Sequence, residues 1–276
     1  MLDSYFQYRD YLSGLECNFR CVEDCNAPGC WMANVIVEVT FFDLIKLSLV
    51  YNNPVSSLFF NHCHIGLQDC ELNPRYKHIV VKLKKPCHFL QETICMVHGS
   101  KPLSCILFPE IHQINGLLPE LARCPIFCKF PCLKDAIVVS DKRSKALKKL
   151  RRMSLREKAL SSYLLFGTPS FIIDPKPLSR QLKRENQKNR QFSVQDYERL
   201  IVEKLKPTGL LGGIMDEVSK LDTRHGMESL FEKLEDDSLM KPLLEKIVRP
   251  EFIHKLKGDH VKRIRRNLQR PEVAFM

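Results

Sequence analysis

The sequence has no long apolar run, a single tryptophan and, past residue 132, no cysteine. Nowhere do the roughly 20 consecutive apolar residues of a membrane helix occur. The most apolar stretch, from Val35 to Tyr51, is interrupted by Glu38, Asp43 and Lys46, so no membrane span is expected. Met1 to Asp10 has no basic n-region, apolar h-region or small-residue cleavage site. That reads as the absence of a secretory signal and predicts a cytoplasmic protein. No solenoid repeat or low-complexity tract is present, and composition is that of a globular chain. No Ser/His/Asp or Cys/His nucleophile signature stands out, and no methyl-donor loop. The run Gly209 to Gly213 is too poor a match to a phosphate loop to carry one. Whether the chain is an enzyme is therefore open at this level.

What is present is concentrated. Twelve cysteines (Cys17, Cys21, Cys25, Cys30, Cys63, Cys70, Cys87, Cys95, Cys105, Cys124, Cys128 and Cys132) all lie in the first half of the 276 residues. In reducing cytosol clustered thiols are metal ligands or catalytic groups rather than disulfides. Charge is equally lopsided. Residues 1–132 hold 11 Lys+Arg and 12 Asp+Glu, whereas residues 133–276 hold 32 and 20. Such asymmetry predicts two units, a cysteine-rich metal-binding domain at 1–135 and a basic region at 136–276, the second facing an anionic partner such as nucleic acid or an acidic protein.

Local patterns give an α+β expectation: a small, loop-rich cysteine module with short strands and helices, followed by an all-helical basic region. Val35 to Val39, Ile79 to Leu83 and Ile94 to Val97 read as strands. The last two flank Cys87 and Cys95, so a hairpin would hold those thiols close. Thr40 with Asp43 three residues on reads as the cap of a helix from Phe41 to Val50, stopped by Asn52-Asn53-Pro54. Asp141 to Phe166 reads as one long basic helix with Leu147, Leu150, Leu155, Leu160 and Leu164 at core positions. Asp174 to Gln191 reads as a linker or long loop. Ser193 and Asp196 form a capping box for a helix to about Leu205, and further short helices are expected at Leu230 to Leu234 and Leu243 to Leu256.

The cysteines fall into groups. Cys17, Cys21, Cys25 and Cys30 share a turn-rich stretch; Cys87, Cys95 and Cys105 form a central group; Cys124, Cys128 and Cys132 repeat the three-residue gaps of the first. Zinc and iron–sulfur clusters take thiolates because sulfur is soft and charged. Cys21, Cys25, Cys30, Cys87, Cys95 and Cys105 are the leading candidate ligands, with Cys17, Cys124, Cys128 and Cys132 as further ones. Ten ligands would suffice for two four-ligand sites. Cys63 and Cys70 stand alone and read as buried core thiols. Of the nearby histidines His62, His64, His88 and His98, His98 lies between two candidate ligands and is the first to consider as a replacement ligand.

These residues resemble the YkgJ-type (CxxCxxCC) cysteine-cluster family, described as zinc- or iron-chelating proteins. The resemblance is carried, over about residues 17–110, by Cys21, Cys25 and Cys30, by Val39-Thr40 with Asp43-Leu44, and by Cys87-His88-Phe89-Leu90, Cys95 and Lys101-Pro102-Leu103-Ser104-Cys105-Ile106-Leu107-Phe108-Pro109. Where the family has an adjacent cysteine pair this chain has Cys30-Trp31, one thiol fewer. The resemblance implies a metal-binding protein carrying zinc or an iron–sulfur cluster, and the cysteine-only ligand set leans toward the cluster. The cysteine region is also similar to that of flagellin lysine-N-methylases, which implies a cluster-dependent modifying enzyme as an alternative. A third reading is a nucleic-acid-associated factor, with basic clusters from Lys142 to Lys158 and from Lys262 to Arg266 as its contact surface.

Overall fold

The computed structural model describes residues 1–17, 27–33, 35–70, 73, 75–116, 130, 138–185, 193–257 and 260–265. The fold is mixed α+β; the described residues are 61% helical and include a five-stranded sheet. The chain divides into two compact units, each assembled from three separate stretches of sequence. One comprises Met1–His64, Lys82–Glu157 and Leu221–Phe231; the other comprises Ile65–Val81, Lys158–Lys220 and Glu232–Met276. Each unit therefore draws on both the cysteine-rich and the basic half of the sequence.

In the first unit, helix α1 (Leu2–Gly14) is followed by a short turn of helix, α2 (Pro28–Trp31), and then α3 (Phe41–Tyr51). The α3 start follows the sequence pattern. The Thr40 side chain accepts from the Asp43 N–H and the Asp43 carboxylate accepts from the Thr40 N–H, a reciprocal capping box. It stops at Asn52, which takes the left-handed conformation that asparagine tolerates at a helix end. Helix α4 (Val55–His62) leads into strand β1 (Cys63–Asp69), followed by β2 (Lys77–Leu83). The hairpin expected between Ile79–Leu83 and Ile94–Val97 does not form: β4 (Ile94–Cys95) pairs with the two-residue β3 (Leu90–Gln91), which follows the Cys87 turn directly, while β2 joins a different sheet. The Val35 to Val39 stretch makes only a bridge, Glu38 to Lys82, rather than a strand.

Helices α5 (Leu103–Leu107) and α6 (Glu110–Ile114) precede the long α7, which spans Asp141–Phe166 as its composition predicts. Leu103, Ile106, Leu107 and Ile111 pack with Leu12 and with Ala146, Leu147 and Leu150 in one apolar cluster. Burying such side chains drives association of these helices at roughly 25 cal/mol per Å² of apolar surface. Leu155, expected in the core, is instead 37% exposed.

Two buried ion-pair systems cross this core. Arg9 bridges Asp43 and Glu157, and Arg143 pairs with Glu110 at 2.5 Å while donating to the Leu12 and Ser13 carbonyls. Buried charges persist only when paired in this way.

In the second unit the sheet order is β1-β2-β5-β6-β7, where β5 (Ile172–Ile173) runs antiparallel to β2 and parallel to β6 (Phe252–Lys257), and β7 is His260–Arg265. Cys70, Tyr76, Ile172 and Ile253 form a buried cluster there. The Lys176–Glu185 stretch, inside the expected linker, is a helix (α8) that buries Leu178 and Leu182 one turn apart. Helix α9 (Val194–Leu205) starts on the Ser193–Asp196 capping box.

The expectation of an all-helical second half is corrected at the end of the chain. The helix expected from Leu243 to Leu256 ends at Val248, and Phe252–Lys257 and His260–Arg265 form an antiparallel hairpin, β6 and β7. Pro250 has no amide hydrogen and disfavours a helical residue before it, and Arg249 takes φ −128°. Beyond that break Ile253 and Leu256 are buried on a pleated strand instead of a helix face.

Candidate metal centre

Four segments bring thiols toward one another in the first unit. Cys30 sits in the short helix α2, and its carbonyl accepts the Cys87 N–H at 2.7 Å. The two thiols also interact electrostatically, which favours the proton on Cys30 and the negative charge on Cys87. Cys87 opens a tight turn in which the Leu90 N–H returns to the Cys87 carbonyl at 3.0 Å. That turn aims the Phe89 and Leu90 amides at the sulfur. The interaction with Cys30 above all, then these amides and the nearby Lys85 ammonium, bring the Cys87 thiol down to about 6. The matching consequence falls on Cys30, whose thiol is raised because the same interaction keeps the proton on it and because it is half-buried.

Cys105 projects from α5. Burial pushes its thiol up to about 12, and the charges of Cys87 and Cys95 act in the same sense. Cys95, at the end of β4, is raised by burial, while the Val97 amide partly offsets this. Lys85 lies among Cys105, Cys30 and Cys87, with its Nζ donating to the Gly29 carbonyl. An ammonium there compensates negative charge on the thiols. Sequence reasoning did not single out Lys85, although its place two residues before Cys87 was in plain view.

The scaffold around the thiols explains why they converge. The Asp43 carboxylate accepts from the Leu103 N–H at 3.0 Å. The capping residue of α3 thereby also holds the first residue of α5, two positions before Cys105. The Ser104 hydroxyl donates to the Glu38 carbonyl at 2.5 Å. The Leu83 and Lys84 amides donate to the carbonyls of Val37 and His62, at 3.0 and 2.8 Å, and fix the approach to Lys85-Pro86-Cys87. Asp43 is in turn held by Arg9, and Arg9 by Glu157, which also accepts from Tyr5 and Thr40 at 2.7 and 2.8 Å. Burial raises the Glu157 carboxyl against the pull of Arg9. None of these links was legible locally, because Arg9 and Glu157 are 148 residues apart.

No family model matches the chain. No curated protein and no solved structure matches it either. The functional reading therefore rests on the residues themselves.

The remaining candidates divide. Cys17 is exposed just past α1, on the side of Arg143. Cys21, Cys25, Cys124, Cys128 and Cys132 lie outside the described residues. Cys63 and Cys70 are buried, at 4% and 1% exposure, and burial drives the Cys63 thiol up to about 12. His62 and His88 stack face to face at 3.9 Å, and burial, His88 and Lys84 lower the His62 pKa. The His98 ring nitrogen lies 3.5 Å from the Lys101 ammonium. Among the described residues no group of three or more His, Cys, Asp or Glu side chains is arranged to hold a metal ion. What they present is an interacting thiol pair, Cys30 and Cys87, with Cys105 close enough to add to the rise of Cys30, and Cys95 itself raised by burial and by Cys87. Soft thiolate donors suit zinc or an iron–sulfur cluster, so the donor chemistry fits, although these residues alone do not close a four-ligand set.

Proposed function

We propose that the protein is a metal-binding protein whose cysteines hold an iron–sulfur cluster or zinc. The observation that carries this reading is the Cys30–Cys87 sulfur pair, made by residues 57 positions apart in sequence and favouring a thiolate at Cys87. Metal binding requires the deprotonated sulfur, a form that Cys87 already favours and that the metal's positive charge must draw from the raised Cys30 thiol. Cys105 and Cys95 are the neighbouring ligands in this reading. Cys21, Cys25, Cys17, Cys124, Cys128 and Cys132 are the pool from which the set is completed. The resemblance to YkgJ-type proteins supports the same assignment. When bound, zinc supplies a structural cross-link and a cluster supplies electron transfer. The chain's own part is to gather the sulfurs, stabilise their negative charge with Lys85 and the Phe89 and Leu90 amides, and limit their exposure.

Serine substitution tests the assignment. Cys87→Ser and Cys105→Ser abolish metal retention, whereas Cys63→Ser leaves it at the wild-type level, as read by elemental analysis of purified protein. Equal metal content in all three variants contradicts the ligand assignment.

A further inference from the structure

The first unit carries a second feature, remote from the thiols in character: a ridge of cations beside exposed aromatic rings. Lys142, Lys145, Lys149 and Arg152 are all exposed on α7. At 3.6 residues per turn they fall within about an 80° arc and extend about 15 Å along the helix. Lys148, also exposed, flanks them. Helix α1 runs antiparallel alongside. Tyr5 reaches Glu157 at 2.7 Å, Lys149 reaches the Tyr8 hydroxyl at 3.3 Å, and Arg143 reaches the Ser13 carbonyl at 2.8 Å. That register sets Tyr8, 44% exposed, beside Lys149, and Tyr11, 61% exposed, about one turn further along α1 at the height of Lys145. The Lys149 ammonium lies 6.0 Å over the Tyr8 ring.

The acidic groups nearby do not cancel the ridge. Among the described residues, Glu16 is engaged by Lys142 at 3.2 Å and Asp10 by Lys46, which leaves Asp141 in the first turn of α7 against Lys145, Lys148, Lys149 and Arg152. Cations alone would suit any anionic surface. Large exposed tyrosines among them suit a ligand that offers flat π-faces between its charges. A single-stranded nucleic acid does so, whereas a duplex hides its base faces in the stack and an anionic lipid surface has none. We propose that the α1–α7 face binds single-stranded nucleic acid without sequence preference, the lysines and Arg152 meeting phosphates and Tyr8 and Tyr11 stacking on bases. This surface is independent of the metal assignment.

The test is fluorescence anisotropy of the full-length protein with labelled oligo(U), oligo(dT) and a duplex, each of about 15 nucleotides, and with phosphatidylserine vesicles in competition. Tighter binding of the U or the dT strand distinguishes RNA from DNA. Either single strand binds more tightly than the duplex, and log K falls with log salt at a slope of about −2 to −3, from three or four phosphate contacts. Lys145→Gln with Arg152→Gln weakens binding about tenfold or more and flattens the slope by about 1.4. Tyr11→Ala weakens it about fivefold or more through lost stacking. These side chains are exposed, so the variants keep the fold. Absence of single-strand binding at low salt, equal affinity for duplex or vesicles, or an unaltered Tyr11→Ala protein overturns the proposal.

Discussion

Cys87 concentrates the residue-scale argument. Of the described thiols in the first unit it is the one brought down, to about 6, while Cys63 and Cys105 are pushed up to about 12. Thiolates and not thiols are alkylated. In metal-free reduced protein at pH 7, iodoacetamide therefore labels Cys87 ahead of Cys63 and Cys105. The Cys87 rate rises with pH to a plateau with a midpoint near 6, as followed by peptide mass spectrometry. The sign follows from the lowered pKa: the reactive form is present above about 6 and is lost on acidification. A midpoint at the ordinary cysteine value would mean that Cys30 does not stabilise the Cys87 thiolate. The candidate role of Cys87 was visible from its place before His88-Phe89-Leu90. Its pairing with Cys30 was not, because spacing along the chain says nothing of which distant turn meets it.

At the scale of elements, the Asp43 carboxylate joins the α3 cap, the buried Arg9 and the first amide of α5. Asp43→Ala leaves Arg9 with a poorer set of partners, removes the carboxylate half of the capping box and frees the Leu103 N–H. Removing one partner of a buried ion pair costs about 3–5 kcal/mol, so a loss of that order is expected in denaturant unfolding. A loss below about 1 kcal/mol would contradict a connecting role. The cap itself was readable from Thr40 and Asp43, since its chemistry is local. The long α7 was readable too, from uninterrupted helix formers between Asp141 and Phe166. The terminal hairpin was not: the leucine and isoleucine spacing around Leu243 to Leu256 fits a helix as well, and only Pro250 and the Gly258-Asp259 dipeptide argued for a break and a turn. Helix α8 was missed because its polar, proline-bearing sequence masked the Leu178 and Leu182 pair.

At the scale of the whole molecule, the chain is a basic protein of net charge +11 in which cysteine and positive charge are segregated along the sequence. The fold does not keep that segregation, since each unit mixes both halves. Among the described residues no helix is long and apolar enough to cross a membrane. The fold class was legible as α+β, because helix caps and β-branched runs are local signals. How the stretches combine into units was not, because that depends on pairings such as Arg9 with Glu157 and Arg143 with Glu110 that no window of sequence contains.

The central claim is that the cysteines retain a metal. It is tested most directly by metal and acid-labile sulfide analysis with a visible spectrum, on protein purified without oxygen. The account predicts iron with sulfide and a broad visible absorbance, or zinc in a colourless protein, in either case near stoichiometric. Protein that folds and elutes with neither iron nor zinc would contradict it.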